Sequence, residues 1–292
     1  MNLKNSFHPY AVTTIVFWSL AYVFTRLALQ YFSPFPLGLL RYAAASGAMA
    51  FVVAVKKIKP PRKKDLPWFL LSGATGFFLY MLTFNKASIT VNASTSSVVI
   101  AATPIITAVL ARIFYKEKLT YVQYGAIALS FLGVVVLTVL SGGFSVNFGL
   151  FYLLCAAFCL SIYNIVQRYL TKSYSSLCST AYSIFFGTLM LCVFIPPTVE
   201  EALNAPAVQI FYILILGVLS SAAAYCAWAK ALSLAKNVSS VSNYMFVTPF
   251  LTSVLAMAIA GERVERSTVI GGIIIFAGLI LFTAAGKLQK KD

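Results

Sequence analysis

Thr103-Pro104-Ile105-Ile106-Thr107 and Thr248-Pro249-Phe250-Leu251-Thr252 are two copies of one pattern, 145 positions apart. Downstream of each stands an acidic residue, Glu117 and Glu262, and then a glycine, Gly133 and Gly278. All of these pairs are separated by the same 145 positions. In each copy a proline interrupts an apolar stretch, and an acidic turn and a second apolar stretch follow. Proline has no N–H and frees a carbonyl inside a helix. The repeated pattern therefore predicts two interrupted helices at matching places.

Composition sets the class. The chain has 292 residues, 60% hydrophobic and 10% charged, with mean hydropathy +0.88. An ordinary soluble domain carries roughly 25% charged residues. The remaining charges cluster between apolar stretches, which leaves no soluble domain for separate chemistry. A helix needs about 20 apolar residues to cross a bilayer. Ten stretches qualify: 9–30, 35–55, 67–86, 92–114, 121–140, 148–169, 176–196, 207–230, 239–260 and 268–286. The first is too long for a signal-peptide core and is read as a retained span.

Basic residues set the orientation. With the N-terminus inside, Lys4, the cluster from Lys56 to Lys64, Arg112, Lys116, Lys118, Arg168, Lys172, Lys230, Lys236, Lys287, Lys290 and Lys291 face the cytoplasm. Arg26, Arg41, Lys86, Arg263 and Arg266 lie toward the other side. That is 17 against 5, a strong positive-inside bias. It places a multi-pass protein in the cell membrane with both termini cytoplasmic. The formal charge of +15 is then explained by topology and anionic headgroups. Nucleic-acid binding would need a basic soluble face, and the sequence offers none.

Residues 1–145 and 146–292 each hold five spans, an odd number, so the second copy enters the membrane from the opposite side. The expected fold is an all-α integral membrane protein of ten transmembrane helices, built as two five-helix inverted-topology repeats. Such repeats encode inward-open and outward-open states by exchanging the conformations of their halves, with the site between them.

The same residues resemble the EamA family of the drug/metabolite transporter superfamily. Trp18-Ser19, Arg26, Pro34 and Arg41 are similar to its first-helix pattern of W-G, basic residue, proline and arginine, with Ser19 in place of the usual glycine. Asn85-Lys86-Ala87, Ser94, Pro104 and Glu117 resemble its next series. Ala229-Lys230-Ala231-Leu232, Ser239, Pro249 and Gly261-Glu262 repeat that series more faithfully. The likeness covers nearly the whole chain. It implies a permease for small metabolites, often an exporter of amino acids or related compounds, and leaves the substrate open. A lipid-linked carrier or flippase for an amphiphile is the alternative.

Polar groups kept in hydrocarbon usually face a cavity or the bundle interior. The fourth span carries Asn92, Ser94, Thr95, Ser96, Ser97 and Thr103 around Pro104. The ninth carries Ser239, Ser240, Ser242, Asn243, Tyr244 and Thr248 around Pro249. Small residues of this kind also serve close helix packing. Pro104 and Pro249 are the candidate hinges. Tyr80 and Asn85 of the third span, with Tyr225 and Trp228 of the eighth, offer aromatic bodies with polar handles, suited to a pocket or to an interfacial belt. These four spans are expected to form the central cavity. Trp18, Tyr22, Tyr163 and Asn164 of the first and sixth spans are further candidates. Arg41 could attract a carboxylate or phosphate or snorkel to headgroups.

Several chemistries are set aside. The seven acidic residues and His8, the single histidine, fall in loops, span ends or the termini, so no mid-membrane proton relay is evident. Glu117 and Glu262 suit helix capping or pairing with neighbours such as Lys118 and Arg263. No phosphate-binding G-x-x-x-x-G-K-[ST] loop is present. Cys155, Cys159, Cys178, Cys192 and Cys226 form no C-x-x-C pair, so no metal or other cofactor is expected. No embedded nucleophile stands with a base, so the chain reads as a carrier, not an enzyme. The expected partners are a small-molecule metabolite and the lipid bilayer.

Overall fold

In the computed structural model, residues 6–115, 120–140, 148–235, 241 and 243–288 are described. Among them every regular element is helical, with no strand. The elements run α1 His8–Ala28, α2 Pro34–Lys56, α3 Leu66–Ala87, α4 in two pieces (Ala93–Ile100 and Thr103–Tyr115), α5 Tyr121–Leu140 and α6 Phe148–Leu170. They continue with α7 Ser176–Leu203, α8 Ala207–Leu234, α9 Thr248–Ala260 and α10 Arg266–Leu288. Among the described residues seven helices are long and apolar enough to cross a membrane, while Thr248–Ala260 and Arg266–Phe282 are shorter apolar helices. Glu117, Ser239, Ser240 and Ser242 lie outside the described residues.

Local sequence explains the helix ends. Pro34 begins α2 at a position where the missing N–H costs nothing. Lys57 ends it in the left-handed conformation, φ 49°. Asn92 caps α4 by accepting from the Thr95 amide at 2.7 Å. Pro196 and Pro197 cannot donate to the preceding turn, and α7 passes through a 3-10 turn, Cys192–Phe194, ahead of them.

Two long helices contain a π-helical stretch, Ala74–Leu79 in α3 and Ile215–Ala223 in α8. Each lies beside a glycine at a close crossing. A Cβ on Gly73 would stand 2.8 Å from the Gly187 amide of α7, and one on Gly217 would stand 2.7 Å from the Arg41 carbonyl of α2. These crossings leave no room for a side chain, so each needs glycine.

The packing is inside-out relative to a soluble protein. Ser94, Thr95, Ser96 and Ser97 are buried, while Phe51, Phe131, Phe250, Ile273 and Ile280 stand exposed. Apolar side chains on the outside and hydrogen-bonded backbone within helices are what lipid requires. Helix α1 packs on α8 and α9, α6 on α3 and α4, and α2 on α7 and α8. Helix α5 runs against α10, joined by Ser130 Oγ donating to the Ile275 carbonyl at 3.2 Å.

Candidate functional site

At each proline break the threonine carbonyl accepts from a serine of another helix. Pro104 cannot donate to the carbonyl of Ile100, and the Thr103 hydroxyl takes that carbonyl at 2.6 Å. The carbonyl of Thr103 in turn accepts from Ser161 of α6 at 3.2 Å. On the other side, Pro249 opens α9 after the 3-10 turn Asn243–Val247. The carbonyl of Thr248 accepts from Ser19 of α1 at 3.5 Å. Ser19, where the family resemblance expects glycine, thus performs for the second break what Ser161 performs for the first.

A cavity lies between the breaks. Its wall comes from Trp18, Ala21 and Tyr22 of α1, Arg41 of α2, Tyr80 and Phe84 of α3, and Ser97, Ile100 and Ala101 of α4. Leu160 of α6, Tyr225 of α8, and Met245 and Thr248 beside the second break complete it. Trp18 packs on Tyr225, with ring centroids 5.2 Å apart, and on Trp228 at 4.9 Å. Tyr80 stacks on Phe84 at 5.4 Å. The free space at the centre is about 20 Å³, enough for a single water. In this conformation the wall is closed in on itself. Among the described residues, Trp18 Nε1 and Thr248 Oγ1 are buried in this wall with no hydrogen-bond partner.

Seven of the residues expected from sequence therefore converge: Trp18, Tyr22, Arg41, Tyr80, Ser97, Tyr225 and Thr248. The expectation that α3, α4, α8 and α9 form the cavity is too narrow, because α1, α2 and α6 also face it. Arg41 is 3% exposed and donates from Nε to Ser221 Oγ at 2.7 Å, so it is turned into the bundle and does not reach outward.

The remaining candidates lie outside this wall. Asn85 donates to the Pro34 carbonyl at 2.8 Å and ties α3 to the start of α2. Asn164 accepts from Trp228 Nε1 at 3.1 Å, which locks α6 to α8. Tyr163 is fully buried and its ring fills the space left by Gly76. The Ser94 carbonyl accepts from Ser97 at 2.7 Å. Thr103 is used within the break, and Tyr244 pairs with His8 at the start of α1. Asn243 is located as the first residue of the 3-10 turn. Phe84, Ile100, Ala101, Leu160 and Met245 were not expected. Phe84 had a signal, since it lies one helical turn from Tyr80; the aliphatic members carry none that distinguishes them from core.

The two ends of the cavity differ. Toward one end, Glu262 accepts from Arg26 Nε at 3.3 Å and from the Ala93 amide, the first of α4, at 3.0 Å. Arg26 also donates to the carbonyls of Ser88 and Ile89 at 2.6 and 3.0 Å. Of the two roles expected for Glu262, helix capping or pairing with a neighbour such as Arg263, it takes the first at the positive N-terminus of α4, and its ion-pair partner is the distant Arg26. Toward the other end, a crevice of about 580 Å³ is lined by residues including Tyr10, Thr171, Ser176, Cys226, Lys230 and Ser233. Trp228 lies between Tyr225 and Lys230 along α8, so its bond to Asn164 stands between cavity and crevice.

The EamA-like transporter family matches this chain twice, over residues 6–139 and 147–284. The chain belongs to that family. This EamA-like protein is 30% identical to the uncharacterized transporter YdfC of Bacillus subtilis (strain 168), over 94% of this chain and 90% of that one. It is 29% identical to a probable terminal-alkyne amino-acid exporter of Streptantibioticus cattleyicolor, over 92% of this chain and 91% of that one. A solved crystal structure 16% identical to it superposes with a TM-score of 0.68, covering 96% of this chain and 97% of the other, which supports the fold alone. Family membership and the apolar helices make this a multi-pass membrane protein with a general role in transport.

Proposed function

We propose that this protein carries small organic metabolites, amino acids or related compounds, out of the cell by alternating access. The observation that carries the reading is the closed cavity between the two proline breaks, with the unpartnered Trp18 Nε1 and Thr248 Oγ1 in its wall. Twelve buried side-chain polar atoms lack a partner among the described residues, and these two are the ones that border the cavity, where a polar solute would satisfy them once it opens. The amino-acid exporter among its relatives fits this substrate class. Contact with the solute is assigned to Trp18, Tyr22, Arg41, Tyr80, Ser97, Tyr225 and Thr248.

The reading uses ten spans arranged as two inverted five-helix repeats, residues 1–145 and 146–292. The paired proline breaks, the paired π-helical stretches and the glycine crossings at Gly73 and Gly217 support it. So does the α5–α10 contact. A Cβ on Gly133 would stand 2.7 Å from the Ile275 amide, and one on Gly278 would stand 2.9 Å from the Ser130 amide. Residues 130 and 275, like 133 and 278, are 145 apart, as expected where a twofold axis crosses two equivalent helices. In the cell membrane, with both termini cytoplasmic, the Lys230 crevice opens inward and the Glu262 end faces out.

The test is counterflow of a labelled metabolite pool into liposomes holding the purified protein, without an ion gradient. Accumulation of particular amino acids or related solutes is the expected result. If no soluble compound accumulates with or without imposed proton and sodium gradients, while a lipid-linked compound moves, the metabolite reading fails.

A further inference from the structure

Among the described residues, Arg41 is the single charged side chain in the cavity wall. It is 3% exposed, donates to Ser221, and lies 5.6 Å from the Tyr42 ring centroid. A buried guanidinium is costly unless a negative charge lies against it. Among the described residues no such charge is supplied. The ion pairs among the described residues are Arg26–Glu262 and Arg62–Asp65. Glu265 is engaged by Asn92 and Ser267, Glu201 accepts from the Ser33 amide, and Glu200 lies in the short helix Ile195–Leu203 beyond the proline pair of α7. In sequence, Glu117 and Asp292 fall beyond the fourth span and at the chain end.

We infer that the counter-charge is brought by the cargo, as a single carboxylate held by the terminal nitrogens of Arg41. This rests on the transport reading and narrows its substrate class to compounds with one carboxylate on an apolar or aromatic body. One cation matches one negative charge, and the guanidinium fork matches the two oxygens of a carboxylate. Apart from Ser97 and Thr248 the rest of the wall is apolar or aromatic, with Trp18, Tyr22, Phe84, Leu160 and Tyr225 available to the body of the solute. The wall holds no acidic group, so a cationic solute meets hydroxyls and ring faces but no carboxylate to neutralise its charge.

Tryptophan fluorescence reads binding directly, because Trp18 lines the cavity and Trp228 packs on it. In a Trp68→Phe background, phenylacetate, phenylacetamide and 2-phenylethylammonium are titrated into the purified protein. The expected result is phenylacetate binding at least roughly tenfold more tightly than the amide, with the ammonium weakest. Arg41→Gln is expected to bring acid and amide to near parity, and Arg41→Lys to keep part of the preference. Parity in the parent protein, tighter binding of the ammonium, absence of acid binding, or an acid preference surviving in folded Arg41→Gln would each overturn the inference. Should Arg41→Gln not fold, the parent's ranking decides. Counterflow of neutral or cationic solutes without acid preference would sink this inference and leave the transport reading standing. Acid-selective binding without flux of any solute would sink the transport reading and leave the anion site.

Discussion

In the proposed two-repeat arrangement the two ends of this molecule correspond, and they are closed differently. At one end Asn85 of α3 donates to the carbonyl of Pro34, the first residue of α2. At the other, the corresponding places 142 to 145 residues on are Ser176, the first residue of α7, and Lys230 of α8. These two line the 580 Å³ crevice. The first end also has the Arg26–Glu262–Ala93 cluster holding α1, α4 and the α9–α10 turn together. On that reading, a shared backbone plan need not rest in a symmetric state. In the proposed cycle this conformation is shut outward and indented inward, and transport exchanges the two ends.

The most severe way to break the comparison is to disrupt the α5–α10 contact, where the proposed twofold axis lies. Gly278→Val would push a side chain into Ser130 and the Ala126 carbonyl, at a cost of about 3 kcal/mol. The expected outcome is a large drop in thermal unfolding temperature in detergent. Gly125→Ala, with nothing within 4 Å, should leave that temperature unchanged.

Next in size is the bending itself. Pro104→Ala or Pro249→Ala restores a donor at a break and should slow counterflow by about tenfold with folded protein retained. Equal flux in both variants and the parent would remove the hinge idea. The smallest effect is expected at the serines that hold the breaks. Ser161→Ala removes bonds of 3.2 and 2.8 Å, while Ser19→Ala removes one of 3.5 Å. Each should cost about 1 kcal/mol or less in unfolding free energy, with Ser161 the larger. A reversed order would show that the two breaks are not held alike.

Much of this was legible in the sequence because hydrophobic length and proline act locally. The expected stretches 9–30, 35–55 and 121–140 lie within two residues of α1, α2 and α5. Thr103-Pro104 and Thr248-Pro249 marked the breaks for the same reason. The cavity was legible only in part. Aromatic residues with polar handles announce themselves, and Trp18, Tyr22, Tyr80 and Tyr225 do face it. Trp228 has the same chemistry, but it bonds to Asn164 outside the wall, and no local signal separates the two cases. The π-helical stretches were not foreseen, since they arise from close crossings such as Gly73 on Gly187. Glu262 was placed correctly at a helix end, yet its partners Arg26 and Ala93 come from distant parts of the chain.

The central claim is that the two ends open in alternation. Pulsed electron-spin distances test it in a cysteine-free protein reconstituted in nanodiscs. One label pair, Ser33→Cys with Lys86→Cys, spans the closed end, and another, Ser173→Cys with Ser233→Cys, spans the crevice. Glu262→Gln removes an ion pair worth about 1 kcal/mol, a roughly fivefold shift in a two-state balance. The account predicts that this substitution lengthens the first distance and shortens the second in the same population of molecules. Lengthening of the first with the second unchanged would contradict it.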